Sequence, residues 1–224
     1  MKKFNMFITF LVLPIYWIRS QVIRRFGSET KKDKELRMYP DHYLGFRRIS
    51  VKIIGKQPNS QTPCIYIANH QSMNDIFITI AAVNKPFRFI AKKELFTNPI
   101  SGTFMKMSQS YPLDREDPKQ SLMILKQALK DVEKGYSILA FPEGTRSHTK
   151  EMLPFKDGMF AVLRKANVPI VPMYIQESFN ENQKEFNVHF CQAIEKDTYQ
   201  TMKTIELSQL VRTLMEEKMK SIYA

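Results

Sequence analysis

Residues 64–75 read CIYIANHQSMND. The first five are apolar and rich in β-branched and aromatic types. They follow the turn-like KQPNSQTP (56–63), so they predict a strand. A helix then starts near Asn74 or Asp75 and runs through IFITIAAV. A buried strand, a short polar loop and a helix make the first part of a βαβ unit. FRFIA (87–91) supplies the next strand.

Working outward, the same alternation continues. NPISGTFMKMS (98–108) predicts a helix opened by Asn98 and Pro99, and SYPL (110–113) a short extended segment. Asp117 can cap a long helix, Pro118 suits its first turn and Gly135 can end it. Leu122, Leu125, Leu129 and Val132 recur along it at helical spacing, which predicts a core stripe. SILAF (137–141) and PIVPMYI (169–175) read as strands around a helix near 158–167. NVHFCQAI (187–194) is a further strand, and residues 204–222 close the chain with an amphipathic helix. Upstream, VKII (51–54) is a strand after a helical stretch that ends near Gly45. The expected fold is α/β: a mixed, mostly parallel sheet flanked by helices, preceded by an N-terminal helical segment. In such sheets ligands gather beyond the carboxyl ends of the strands. His70 and PEGTR (142–146) both fall at such ends.

The chain has 224 residues, enough for one sizeable core, and its 43% hydrophobic and 25% charged content excludes a disordered protein. Cys64 and Cys191 form neither a zinc pattern nor a disulfide framework, which points to a reducing, cytoplasmic setting. The net charge of +12 is uneven: residues 1–56 hold 13 Lys/Arg against 4 Asp/Glu, a surplus of 9. That asymmetry implies an anionic surface partner, membrane or nucleic acid.

The stretch MFITFLVLPIYWI (6–18) chooses between them. Thirteen helical residues reach about 20 Å, short of a hydrocarbon core of about 30 Å, and Pro14 interrupts them. Phe7, Phe10, Leu11 and Leu13 supply apolar surface. Tyr16 and Trp17, followed by Arg19, Arg24 and Arg25, suit a membrane interface. A buried helix with a basic flank is the alternative; basic residues on both sides of the apolar run favour the interface. Nucleic acid is disfavoured because aromatic and basic residues are not interleaved. Residues 1–48 are accordingly expected to be a docking segment, peripheral on the cytoplasmic face of the membrane, and residues 49–224 the α/β domain.

No G-x-S-x-G elbow, H-E-x-x-H helix or Walker loop occurs, which argues against the usual serine hydrolases, zinc proteases and nucleotide hydrolases. His70 and Asp75 remain. A carboxylate that accepts from one ring nitrogen fixes the tautomer and frees the other nitrogen as a base. Taken alone, the pair fits a helix cap and a polar loop residue equally well. FPEGTRS (141–147) places a guanidinium, a hydroxyl and backbone amides at a strand tip, the groups that bind phosphate. By itself it also fits a turn with a surface ion pair. Lys92 and Arg115 add positive charge near the same edge. No metal-ligating set is present in the sequence pattern.

Together and in order, NHQSMND, KKELFTNPISG with DR at 114–115, FPEGTRS and VPIVP resemble the four blocks of the glycerolipid acyltransferase family, over residues 50–195 or so. The resemblance is greatest to its bacterial 1-acyl-glycerol-3-phosphate acyltransferases. It implies His70 as general base and Asp75 as its partner. It also implies that Glu143, Gly144, Thr145 and Arg146 hold the acceptor, with Lys92 and Arg115 at its phosphate. The implied reaction moves an acyl group from acyl-CoA or acyl carrier protein to the sn-2 hydroxyl of lysophosphatidic acid, giving phosphatidic acid without a cofactor. One departure is Gln109, where the family usually has a glycine shortly before the D-R pair.

Overall fold

In the computed structural model, residues 17–180 and 182–224 are described. Phe7, Phe10, Leu11, Leu13 and Tyr16 lie outside them. The elements run α1 (residues 17–26), α2 (Glu29–Phe46), β1 (Ser50–Ile54), β2 (Ile65–Ala68), α3 (Asn74–Ala82) and β3 (Phe87–Lys92). A 3-10 turn (Lys93–Phe96) leads to α4 (Pro99–Met107), β4 (Tyr111–Leu113), α5 (Pro118–Glu133) and β5 (Ser137–Ala140). Then follow α6 (Asp157–Leu163), β6 (Ile170–Ile175), β7 (Glu185–Phe190), α7 (Lys196–Tyr199) and α8 (Thr204–Tyr223).

The seven strands form one sheet in the order β1-β7-β6-β2-β5-β3-β4. β6, β2, β5, β3 and β4 all run one way, while β7 is antiparallel to β6 and carries β1 parallel to itself. β2, β5 and β6 are buried on both faces, which is why their sequences are apolar runs and not alternations. Ile65 and Ile67 face one apolar layer with α5, α6 and α8. Cys64, Tyr66 and Ala68 face the other, with α2 and α3. The sheet is thus sandwiched between helices, and the carboxyl ends of five strands share one edge.

Local signals placed the helices well. Asp117 Oδ1 accepts from the amides of Lys119 and Gln120, each at 3.0 Å, Pro118 is the first residue of α5, and Gly135 adopts φ +97° just beyond it. The expected stripe needs one correction. Leu125 and Val132 are buried and Leu129 half-buried, but Leu122 is 43% exposed and Ala128 takes the place in the core. Leu122 shares its side of α5 with half-buried Leu129, at the margin of the face that Leu125, Ala128 and Val132 turn to the core.

The N-terminal helices are tied to the body. Arg19 Nε lies 3.0 Å from the Oε2 of buried Glu35, and Gln21 donates to Thr103 Oγ1 at 2.7 Å. Trp17 Nε1 donates to the Pro99 carbonyl at 3.1 Å. The outward face of α1 carries Ile18, Val22 and Phe26 at four-residue spacing, 58%, 53% and 77% exposed. Among the described residues no helix is long and apolar enough to cross a membrane.

Candidate active site

β2 ends at Ala68, where Asn69 turns its side chain into the ladder. Its Nδ2 donates to the Ile175 carbonyl at 2.9 Å and its Oδ1 accepts from the Ile175 amide at 2.6 Å. This amide stands in for one more backbone pairing with β6 and releases the main chain into the loop. His70 follows, and Asp75 in the first turn of α3 meets it: Nδ1 and Oδ2 are 2.8 Å apart. The same Oδ2 accepts from the amides of Gln71 at 2.6 Å and Ser72 at 2.8 Å, while Oδ1 accepts from the Ser178 hydroxyl. An ionised carboxylate only accepts, so Nδ1 carries the proton and Nε2 keeps its lone pair. Asp75 is fully buried, whereas the His70 side chain remains 17% exposed. The imidazole stacks on Phe141, with centroids 4.4 Å apart and planes at 21°.

Phe141 begins the turn after β5, the strand beside β2. Glu143 is 2% exposed and grips the neighbouring loops: Oε1 accepts from the His70 amide at 2.6 Å and Oε2 from the Leu153 amide at 2.8 Å. Burial pushes its carboxyl above the ordinary value of 4.5, against the opposing pull of those two amides. Ser147 N donates to the His70 carbonyl at 2.8 Å, closing the two loops on each other. Glu143 therefore faces the protein's own backbone, with no bond to Arg146.

Gly144 has φ +74°, a conformation that side chains rarely adopt. A Cβ built there would lie 3.7 Å from the Arg115 Cζ and 3.6 Å from the Lys156 Cγ. The backbone at Gly144 is thus flanked by two cationic side chains, with Thr145 and Arg146 next along the turn, both exposed. Asp114 does not neutralise Arg115. It pairs with Lys93 Nζ at 2.6 Å, which holds its carboxyl below the ordinary range. Among the described residues neither Arg115 nor Arg146 has an ion-pair partner. Lys92, at the end of β3, pairs in register with Leu113 two residues before Arg115 and makes a 3.4 Å ion pair with Glu94.

The sheet edge therefore gathers His70, Asp75, Glu143, Gly144, Thr145, Arg146, Lys92 and Arg115. Phe141, the first residue of FPEGTRS, joins them with Lys156 and Ser178, and the sequence pattern assigns none of the three a role. Lys156 follows FPEGTRS by nine residues, and a lone buried serine after a strand carries no signal in the sequence pattern. Among the described residues no cluster of three or more His, Cys, Asp or Glu side chains is arranged to hold a metal ion. Gln109 also finds an explanation. It adopts φ +51°, the backbone a glycine would take, and its side chain accepts from Arg88 Nη2 at 2.6 Å and donates to Glu29.

The fold and site define an α/β protein whose parallel sheet edge carries an imidazole oriented by a buried carboxylate, with Gly144 on the neighbouring turn flanked by Arg115 and Lys156. The chain belongs to the acyltransferase family, whose model, described as Acyltransferase, matches residues 49–176. It is 39% identical over 128 residues to a chloroplastic 1-acyl-sn-glycerol-3-phosphate acyltransferase of Brassica napus, covering 57% of this chain and 37% of that one. The enzyme of the same name from Saccharomyces cerevisiae is 39% identical over 133 residues, 58% of this chain and 44% of its own. That from Salmonella typhimurium is 31% identical over 161 residues, 69% and 66%. The chain thus matches about two fifths of the plant and yeast relatives. The crystal structure of the 1-acyl-sn-glycerophosphate acyltransferase PlsC from Thermotoga maritima shares the fold, with a TM-score of 0.77 at 21% identity, covering 98% of this chain and 93% of that one.

Proposed function

We propose that the chain transfers an acyl group from an acyl thioester to the sn-2 hydroxyl of 1-acyl-glycerol-3-phosphate, giving phosphatidic acid. The observation that carries this reading is the 2.8 Å bond from His70 Nδ1 to a fully buried Asp75, which leaves Nε2 free on the sheet edge that also carries Arg115 and Arg146. His70 Nε2 takes the hydroxyl proton as the acceptor oxygen attacks the thioester carbonyl. The C–S bond then breaks and the imidazolium returns its proton to the departing thiolate. Because the donor is already activated, the protein supplies no nucleophile and no cofactor. Arg146 and Arg115 hold the acceptor phosphate, with Lys92 and Lys156 adding charge, while Gly144 admits the phosphate close to backbone. Glu143 braces the His70 loop. Residues 1–48 dock on one leaflet, peripherally on the cytoplasmic face, through α1 and the arginines Arg24 and Arg25. The relatives' shared printed name supports this acceptor over glycerol-3-phosphate or another lysophospholipid.

Purified protein given labelled acyl-CoA or acyl carrier protein thioester and lysophosphatidic acid is expected to form phosphatidic acid. His70→Ala is expected to lose turnover by about 10²–10⁴-fold while remaining folded. Free fatty acid at saturating acceptor would identify a thioesterase instead. A folded His70→Ala protein with near-normal turnover would refute the general-base role.

A further inference from the structure

We infer that Ser178 is a positioning residue of the reaction, holding the outer oxygen of the Asp75 carboxylate so that His70 stays aimed at the acceptor. The inference rests on the general-base reading above. Oδ2 of Asp75 receives three donors, from His70, Gln71 and Ser72. Oδ1 receives the Ser178 hydroxyl and no other described donor. Both residues are fully buried, which shields that bond from bulk solvent.

Ser178 is itself fixed from three sides. Its amide donates to Gln71 Oε1 at 2.9 Å, and its carbonyl accepts from Asn74 Nδ2 at 3.4 Å. Its hydroxyl also lies 3.2 Å from Gln71 Oε1. A hydroxyl has one proton, and the charged carboxylate is the stronger acceptor, so the proton points to Asp75. The chain accepts backbone strain to reach this place: Glu177, just beyond β6, has φ +51° without being glycine. The His–Asp pair is thereby held by three strands at once, β2 through His70, β5 through Glu143 and β6 through Ser178.

A group that acts through Asp75 leaves a signature that mere packing does not. Ser178→Ala removes one buried oxygen and is expected to lower kcat by about tenfold, with both KM values within about twofold of wild type. In an Asp75→Asn background the same substitution is expected to cost less than about twofold, because the carboxylate it served is gone. A second measurement covers a residual rate too small to compare: the His70 Nδ1 proton resonance of the folded protein is expected to move in Ser178→Ala. Unchanged kcat in Ser178→Ala, an equal loss in both backgrounds, or an unmoved resonance overturns the role of Ser178. An active His70→Ala protein overturns the general-base reading instead, so the two failures are distinct.

Discussion

Glu143 belongs to the stretch that resembles an acceptor-binding block, yet both of its oxygens are bound to backbone amides, and Glu143→Gln separates a brace from a ligand. A glutamine keeps the shape and one acceptor but turns an NH2 group toward either the His70 or the Leu153 amide. One buried amide then lies unsatisfied, at a cost of about 1–3 kcal/mol. Relief of burying a carboxylate offsets part of this, so a net loss of about 1–2 kcal/mol is expected by denaturant unfolding. For a chain of this length that lowers Tm by about 2–8 °C. Turnover is expected to fall with it, since the His70 backbone loses its anchor, while the KM for lysophosphatidic acid stays near the wild-type value.

The pH dependence has a definite sign. Burial raises the Glu143 pKa in the folded chain above 4.5, so the folded state binds this proton more readily than the unfolded state. The contribution of the carboxyl to stability is therefore lowest above its folded pKa. It grows as pH falls through that value and levels off below 4.5. The glutamine variant lacks the effect, so the stability gap between wild type and variant is expected to widen as pH drops across this window. A raised acceptor KM with unchanged Tm would refute the brace, whereas a gap that narrows on acidification would show that the two amide bonds outweigh burial in setting the Glu143 pKa.

Arg146→Lys keeps charge but loses the planar fork, and is expected to raise the KM for lysophosphatidic acid by about tenfold with little change for the donor. An equal loss for acceptors lacking a phosphomonoester would make Arg146 merely structural. Changing Val22 and Phe26 together to Glu is expected to cut co-sedimentation with anionic vesicles by about 10²-fold or more, given about 1.5–3 kcal/mol for each buried side chain. High salt is expected to weaken wild-type binding only in part, since it screens Arg24 and Arg25 but not apolar insertion. A double variant that pellets like wild type would remove α1 from the docking surface.

The order of elements was legible because each strand of the inner sheet is an apolar run and several helices announce themselves by caps, Asp117 and Pro118 most plainly. The edge of the sheet was not. That β1 pairs with β7, and that both run against the other five, depends on contacts between residues 50–54 and 185–190. No local pattern encodes such a pairing. The site divides in the same way. His70 and Asp75 lie five residues apart, so one loop brings them together. Ser178 reaches Asp75 from 103 positions away, and Arg115 reaches Gly144 only because β3 pairs with β5 on one side and β4 on the other. Sequence spacing reports what one loop can close; it is silent on what the sheet closes.

The position of α1 bears on how an amphiphilic acceptor reaches such a site. Trp17 is bonded to the Pro99 carbonyl and Gln21 to Thr103, so α1 is fastened to the start of α4. α4 follows the 3-10 turn that leaves the carboxyl end of β3, the same strand end that carries Lys92. The exposed line of Ile18, Val22 and Phe26 is therefore held in fixed relation to the cation-bearing edge, and Arg19 is spent on Glu35 in holding it there. On the proposed reading, a lipid acceptor keeps its acyl chain in the leaflet that α1 touches and presents only its headgroup to Arg115, Arg146 and His70. Weakening the α1–α4 bond with Gln21→Ala should then leave turnover on a short, water-soluble acceptor intact. Turnover on vesicle-borne acceptor should fall, because a loosened helix still binds the bilayer but no longer sets the distance between membrane and base. Equal losses on both acceptors would show that the bond only stabilises the fold.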